Sequence, residues 1–161
     1  MQPSRQARTL GQFMLHDHER LEVLLAKVTR GIDDDDQQAA LDAWRPLEAG
    51  LLAHLGAEEK HLFTELEKTD RVEAAHLHSD HAAIRQQIVD LGMCLELHTA
   101  RKLAFDQFAA LLERHAAREE ALLYRWAERQ VPRHVGAALR EQLSSAMSQA
   151  RAIIHEHTFL R

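Results

Sequence analysis

The chain is poor in residues that interrupt helices and in residues that favour strands. It has 161 residues with only 6 glycines, 3 prolines and 5% aromatic residues, and its one cysteine cannot form an internal disulfide. No apolar run approaches the roughly 20 residues of a membrane-spanning helix. The 20 basic residues are scattered among 25 acidic ones, so the sequence shows no basic patch of the kind that binds nucleic acid. We therefore expect an all-α protein that binds neither nucleic acid nor a membrane.

The N-terminal segment adds an expectation about location. Residues 1–9 are polar and basic, and no long apolar run of the kind found in secretory signals follows them. We therefore expect a cytoplasmic protein.

Apolar residues recur at the 3–4 spacing of amphipathic helices along most of the chain. The first helix is expected to begin near Thr9, which forms a capping box with Gln12, and to end at Gly31. Further helices are expected at about 36–68, 71–98, 101–129 and 133–157. Because the first four are joined by short turns, we predict an up-down-up-down four-helix bundle, about 10–130, with an additional C-terminal helix, all within a single domain, 1–161.

Histidine, in contrast, is abundant, with 12 residues spread along the chain. The pattern His-x-x-x-Glu-Glu-x-x-Leu-aromatic occurs at His54 and again at His115. An Asp-His pair precedes each copy, at Asp17-His18 and at Asp80-His81. The repeat predicts two similar helical hairpins with pseudo-twofold symmetry. Each hairpin would bring one histidine from its first helix, and a histidine and a glutamate from its second, to a shared centre.

Six of these polar side chains lie on the apolar stripes of the predicted helices, at positions where leucine would stabilise a bundle. Burying ionised carboxylates without partners costs several kcal/mol, and a histidine and a glutamate four residues apart project from one helix face. Imidazole and carboxylate without thiolate suit iron, manganese or zinc. The predicted metal ligands are His18, His54, Glu58, His81, His115 and Glu119. Because six ligands suffice for two ions only when some are shared, we expect Glu58 and Glu119 to bridge them.

Three further side chains lie near the predicted centre. His61 is one heptad beyond His54 and is expected to be an extra ligand, to hydrogen-bond a ligand, or to pack at the rim. Glu120 can reach the centre in place of Glu119, although the four-residue spacing of Glu119 from its histidine fits the stripe better. For Tyr124, packing is favoured over a hydrogen bond to a ligand.

These motifs resemble those of the hemerythrin-like (HHE) cation-binding domains. The resemblance covers about residues 10–130 and rests on Asp17-His18, on His81 and on the two His-x-x-x-Glu pairs. Leu62-Phe63 and Leu123-Tyr124 are similar to the aliphatic–aromatic signature of that family. The resemblance implies a non-haem centre of two iron ions, of the Fe–O–Fe type, in a four-helix bundle. Zinc and manganese are alternatives because they share these ligands.

The pattern departs from that of the oxygen-carrying hemerythrins. Those proteins use a fifth histidine from an H-x-x-x-H pair on the third helix, whereas Leu77 and Arg85 flank His81 in this chain. The set of four histidines and two glutamates is similar instead to the di-iron domain of the repair-of-iron-centres proteins. Those proteins also carry an N-terminal cysteine-bearing domain that is missing from this sequence, which argues against transferring the repair role.

Three functions are compatible with such a centre. It can bind or sense a small diatomic ligand such as oxygen or nitric oxide. It can handle iron, through iron-centre repair, iron donation, or reduction of nitric oxide or peroxide. It can also stabilise an interaction module whose C-terminal helix forms a homodimer. We favour the first because the sequence shows no other catalytic equipment, and whether the protein is an enzyme stays open.

Overall fold

The computed structural model describes residues 8–158, with side chains described up to residue 149. The described residues form five helices, α1–α5, and no strand: α1 is Leu10–Asp33, α2 begins with Gln37–Glu58, α3 is Arg71–Glu96, α4 begins with Lys102–Arg118, and α5 is Arg133–Thr158. Helices α2 and α4 continue through π-helical turns, Glu59–Phe63 and Glu119–Leu123, into Thr64–Leu66 and Tyr124–Gln130. The predicted all-α bundle with an additional C-terminal helix is confirmed.

Residues 1–7, which belong to the segment in which we expect no secretory signal, lie outside the described residues. Over the described part of the chain, no helix has the length and apolar character needed to cross a membrane.

Local signals set the starts of the first three helices. Thr9 Oγ1 accepts a hydrogen bond from the Gln12 backbone N–H at 3.2 Å, and the Gln12 side chain accepts one from the Thr9 N–H at 2.9 Å, which completes the predicted capping box. Asp36 and Asp70 cap α2 and α3 through their Oδ1 atoms. Each cap satisfies a backbone donor that has no partner within the helix.

Gly31 does not end α1, as the sequence predicted, because the helix continues to Asp33. A β-carbon at Gly31 would lie 2.6 Å from the backbone nitrogen of Ala40 in α2. Glycine at this position therefore allows the close approach of two helices, and its role depends on a neighbour that is distant in sequence.

The apolar side chains form two clusters that are separated along the bundle axis. In α1, Met14 belongs to one cluster and Leu21 to the other, and His18 lies between them. The histidines that interrupt the stripes of the other three helices are His54, His81 and His115. The bundle thus contains a buried polar layer between two apolar clusters.

Helix α5 packs the first half of its length onto the bundle. Leu139 and Leu143 are buried in the same apolar cluster as Met14. Gln142 Oε1 lies 2.9 Å from His61 Nε2 of the first π-helical turn. The homodimer contact expected for this helix stays a prediction.

Candidate metal centre

The six side chains predicted as metal ligands come together in the polar layer. Each of the helices α1–α4 contributes one histidine, and α2 and the π-helical turn of α4 each contribute a glutamate. None of the six is more than 7% exposed, and both glutamates are 0% exposed. The bundle therefore places ionisable groups at its centre, where only close partners can stabilise them.

The six side chains form two groups of four that share both glutamates. The first group contains His18 and His54, the second contains His81 and His115, and both contain Glu58 and Glu119. In each group one nitrogen or oxygen atom from every residue lies within 4.8 Å of all the others. We call the position between the first four site A and the position between the second four site B. Two neighbouring ion positions with two shared carboxylates are the arrangement that the sequence predicted, and the ligand role of each residue stays a prediction.

The histidines turn Nε2 towards the centre and Nδ1 towards a carboxylate behind them. His54 Nδ1 lies 2.9 Å from Asp17 Oδ2, and His81 Nδ1 lies 2.9 Å from Glu59 Oε1. The contacts behind the other two rings are longer, 3.3 Å from His18 to Glu120 and 3.7 Å from His115 to Asp80. A carboxylate at Nδ1 favours the tautomer with its proton on Nδ1, which leaves the lone pair of Nε2 free for a metal ion.

These four contacts explain why the acidic residues repeat along the sequence. The aspartate of each Asp-His pair contacts the second histidine of its own hairpin, whereas the second glutamate of each Glu-Glu pair contacts the first histidine of the opposite hairpin. Sequence reasoning recorded the pairs but assigned no role to Asp17, Glu59 or Asp80. It also missed Arg20 and Arg85, which bind Asp17 and Glu59 and show no signal in the sequence.

Three buried atoms of the centre have no hydrogen-bond partner, namely Glu58 Oε2 and both ring nitrogens of His115. His115 Nε2 lies 2.9 Å from Glu119 Oε1, but the two atoms lack the alignment of a hydrogen bond. An unsatisfied buried polar atom costs about 1–3 kcal/mol. A cation between these side chains would satisfy Glu58 Oε2 and His115 Nε2 together, so the residues fit a bound metal.

In the absence of metal, the centre balances its charges internally. Burial, which alone lowers the pKa of His81, is outweighed by Glu119 and Glu58, which raise that pKa to about 9. Burial is likewise outweighed at His54, where Glu58 and Asp17 raise the pKa well above its ordinary value. Burial raises the pKa of Glu119, yet the surrounding histidines hold it well below its ordinary value. In the metal-free centre His54 and His81 therefore form imidazolium–carboxylate pairs, and metal ions must displace their protons to bind.

Glu58 directly precedes one π-helical turn and Glu119 begins the other, and this second turn brings Tyr124 back to the centre. In a regular α-helix, a residue and the fifth residue after it point in directions about 140° apart around the helix axis. In a π-helical turn, the i→i+5 hydrogen bond brings these two residues to the same side of the helix. The Tyr124 N–H donates to the Glu119 carbonyl, which is such a bond. The Tyr124 hydroxyl then donates to Glu58 Oε1 at 2.6 Å and lies 3.0 Å from His18 Nε2. Burial and the charges of both glutamates raise the pKa of Tyr124 well above its ordinary value, so it stays a phenol in the metal-free centre.

The two other candidates from the sequence lie outside both groups of four. His61 contacts Gln142 of α5, on the outer side of α2. Glu120 lies behind His18, at its Nδ1, and is 41% exposed at its side chain.

A pocket of about 430 Å³ connects the centre with the surface between α1, α2 and α4. The buried side chains His18, His54 and His115 line this pocket, and Leu21, Leu25 and Leu112 are among its apolar lining residues. The acidic side chains along it are Glu22, Asp106 and Glu113. A small molecule can therefore approach the centre without separation of the helices.

Replacing Asp17 by alanine is expected to weaken metal binding by about 10–100-fold, because it removes the group that orients the His54 ring. Competition between the protein and a chromophoric chelator for Zn²⁺ measures this affinity. Asp90→Ala is the matched control, since Asp90 is an exposed aspartate of α3 whose side chain accepts a hydrogen bond from Gln86. Equal affinities of the wild type and Asp17→Ala would show that this carboxylate has no role at the centre.

The helical bundle and its buried cluster of histidines and glutamates define a metal-binding protein of the four-helix-bundle class. The family model described as the hemerythrin HHE cation-binding domain matches residues 9–127. Because the match covers most of the chain, the protein belongs to this family, and the resemblance predicted from the sequence motifs is confirmed. None of the curated proteins and none of the solved structures is significantly similar to the chain.

Proposed function

We propose that the chain is a non-haem di-iron protein that binds or senses a small diatomic ligand, oxygen or nitric oxide, at a dinuclear site bridged by Glu58 and Glu119. The observation that carries the proposal is the sharing of both glutamates by two groups of donors. Each group of four holds only two of the four histidines, so a single ion at either position would leave the other two buried histidines without a partner. Two ions at sites A and B use all six.

One set of residues would bind the ions, and a second set would orient the binding residues. His18 and His54 would hold the ion at site A, and His81 and His115 the ion at site B. Bound iron supplies a redox-active centre that can bind and polarise a diatomic molecule. The carboxylates behind the rings orient the imidazoles and increase their basicity, while Arg20 and Arg85 balance the charges of two of these carboxylates.

The pocket supports a small uncharged ligand. Leucines and three buried histidines are among its lining residues, and an apolar diatomic molecule enters such a pocket without losing strong hydration. A hydrated anion would lose water on entry and would also pass Glu22 and Glu113. Oxygen and nitric oxide both meet these requirements.

Optical spectra test this proposal. The metal-free protein is loaded with ferrous iron without oxygen, and its absorption is recorded before and after addition of oxygen or nitric oxide. We expect new bands on addition of at least one gas, and their reversal on its removal. The zinc-loaded protein is the control and should show no bands. An iron-loaded protein with an unchanged spectrum in both gases would contradict the proposal.

An iron-handling role is the second candidate, as iron-centre repair, iron donation, or reduction of nitric oxide or peroxide. The observation that favours it is the acidic lining of the pocket, because Glu22, Asp106 and Glu113 attract cations towards the centre. If they guide ferrous iron, Glu22→Gln and Glu113→Gln slow iron loading in stopped-flow measurements without changing the amount bound. Unchanged loading rates, no transfer of labelled iron to an acceptor and no consumption of nitric oxide or peroxide would exclude this role.

A further inference from the structure

The pseudo-twofold symmetry of the centre is broken at one pair of positions. Phe63 follows Glu58 by five residues and ends the first π-helical turn, whereas Tyr124 follows Glu119 by five residues and comes directly after the second turn. Phe63 is fully buried, and its ring centroid lies 4.6 Å from that of His81. Site B thus has an aromatic ring without a donor atom, whereas the equivalent side chain near site A carries a hydroxyl.

The Tyr124 oxygen lies among the donor atoms of site A rather than behind them. It is 2.6 Å from Glu58 Oε1, 3.0 Å from His18 Nε2 and 3.3 Å from Glu119 Oε2. For comparison, His18 Nε2 and His54 Nε2 are 3.1 Å apart. Donors at about 2.0–2.2 Å from one ion and at right angles to each other are separated by roughly 2.8–3.1 Å. The distance of the hydroxyl oxygen from His18 Nε2 lies within this range, and its distances from the two glutamate oxygens lie about 0.2 Å outside it.

We propose that Tyr124 is a fifth protein ligand of the ion at site A, while Phe63 leaves site B with four, so that the two ions differ in coordination. The inference rests on the proposed dinuclear iron site. On binding, the phenol O–H bond breaks, its oxygen donates an electron pair to the ion, and the proton leaves to solvent. The positive charge of the ion replaces this proton between the two glutamates.

The test uses the fact that Tyr124 is the only tyrosine of the chain. The full chain is loaded with ferric iron, its iron content is measured, and resonance Raman spectra are recorded. We expect a phenolate-to-iron charge-transfer absorption and enhanced tyrosine ring vibrations in the wild type. Both should disappear in Tyr124→Phe while the iron content stays at two ions per chain. Ring-deuterated tyrosine provides a second measurement, because it shifts the vibrations without any change in sequence.

Different outcomes separate this inference from the proposed function. A wild type that binds two iron ions without phenolate bands would overturn the ligand role of Tyr124 and leave the dinuclear site intact. Absence of iron binding would overturn both. Phe63→Tyr extends the test, since a second phenolate at site B should increase the charge-transfer absorption relative to the iron bound.

Discussion

Replacing Glu119 by alanine is expected to abolish binding of both metal ions, whereas replacing His115 by alanine should remove only one. Glu119 belongs to both groups of donors, while His115 belongs only to the group at site B. Loss of a shared carboxylate therefore removes a ligand and a negative charge from both sites, and a single carboxylate remains to offset the mutual repulsion of the two ions. Glu58→Ala should behave like Glu119→Ala for the same reason.

Metal content per chain, measured after loading with iron or zinc and removal of free metal, gives this result directly. We expect two ions in the wild type, about one in His115→Ala, and close to none in Glu119→Ala. Glu96→Ala, at an exposed glutamate of α3, is the control and should bind as the wild type does. An ion retained at full occupancy in Glu119→Ala would show that the glutamates do not bridge.

The metal-free protein should lose stability as the pH rises from about 6.5 to about 9. The pKa of His81 is about 9 in the folded protein and 6.5 as an unperturbed group, so the folded state binds more protons across this interval. The stabilisation is complete below about 6.5 and is lost as the pH passes the folded value. It amounts to on the order of 3 kcal/mol for this residue, and His54 acts in the same direction. At acidic pH the dependence of stability on pH has the opposite sign. The pKa of Glu119 is lowered in the folded protein, so its contribution to stability is present above its ordinary pKa and is lost as the pH falls towards the lowered value.

Urea denaturation at about pH 6 and about pH 9, with chelator and with Zn²⁺, measures this dependence. The metal-loaded protein is the control, since its histidines are held neutral and the loss at high pH should largely disappear. Metal affinity should rise over the same interval, because fewer protons remain to be displaced. A metal-free protein equally stable at both pH values, or more stable at pH 9, would contradict the charge balance described for the centre.

The helices were predictable because their determinants are local. The apolar stripes and the capping box at Thr9 depend on residues within a few positions of each other. Gly31 shows where local reasoning fails. Its sequence context is that of a helix end, but its role follows from contact with Ala40, which only the packing of α1 against α2 reveals.

The gathering of the six side chains at one centre was predictable for a different reason. Two imperfect copies of one motif place polar residues at equivalent positions on the apolar stripes of the helices. Polar residues on the exposed face of a helix would not interrupt these stripes, so the pattern indicates a buried polar site. The position of Tyr124 was not predictable, because counting 3.6 residues per turn directs it away from the centre. The π-helical turn that returns it is a departure from that periodicity. The same effect explains His61, since Glu59–Phe63 interrupts the α-helical count that placed it near His54.

A crystal structure of the iron-loaded protein, with anomalous diffraction measured at the iron absorption edge, tests the dinuclear centre most directly. We expect two anomalous peaks within the bundle, one between His18 and His54 and one between His81 and His115, with Glu58 and Glu119 each reaching both ions. A single peak, or two ions without a shared carboxylate, would contradict this expectation.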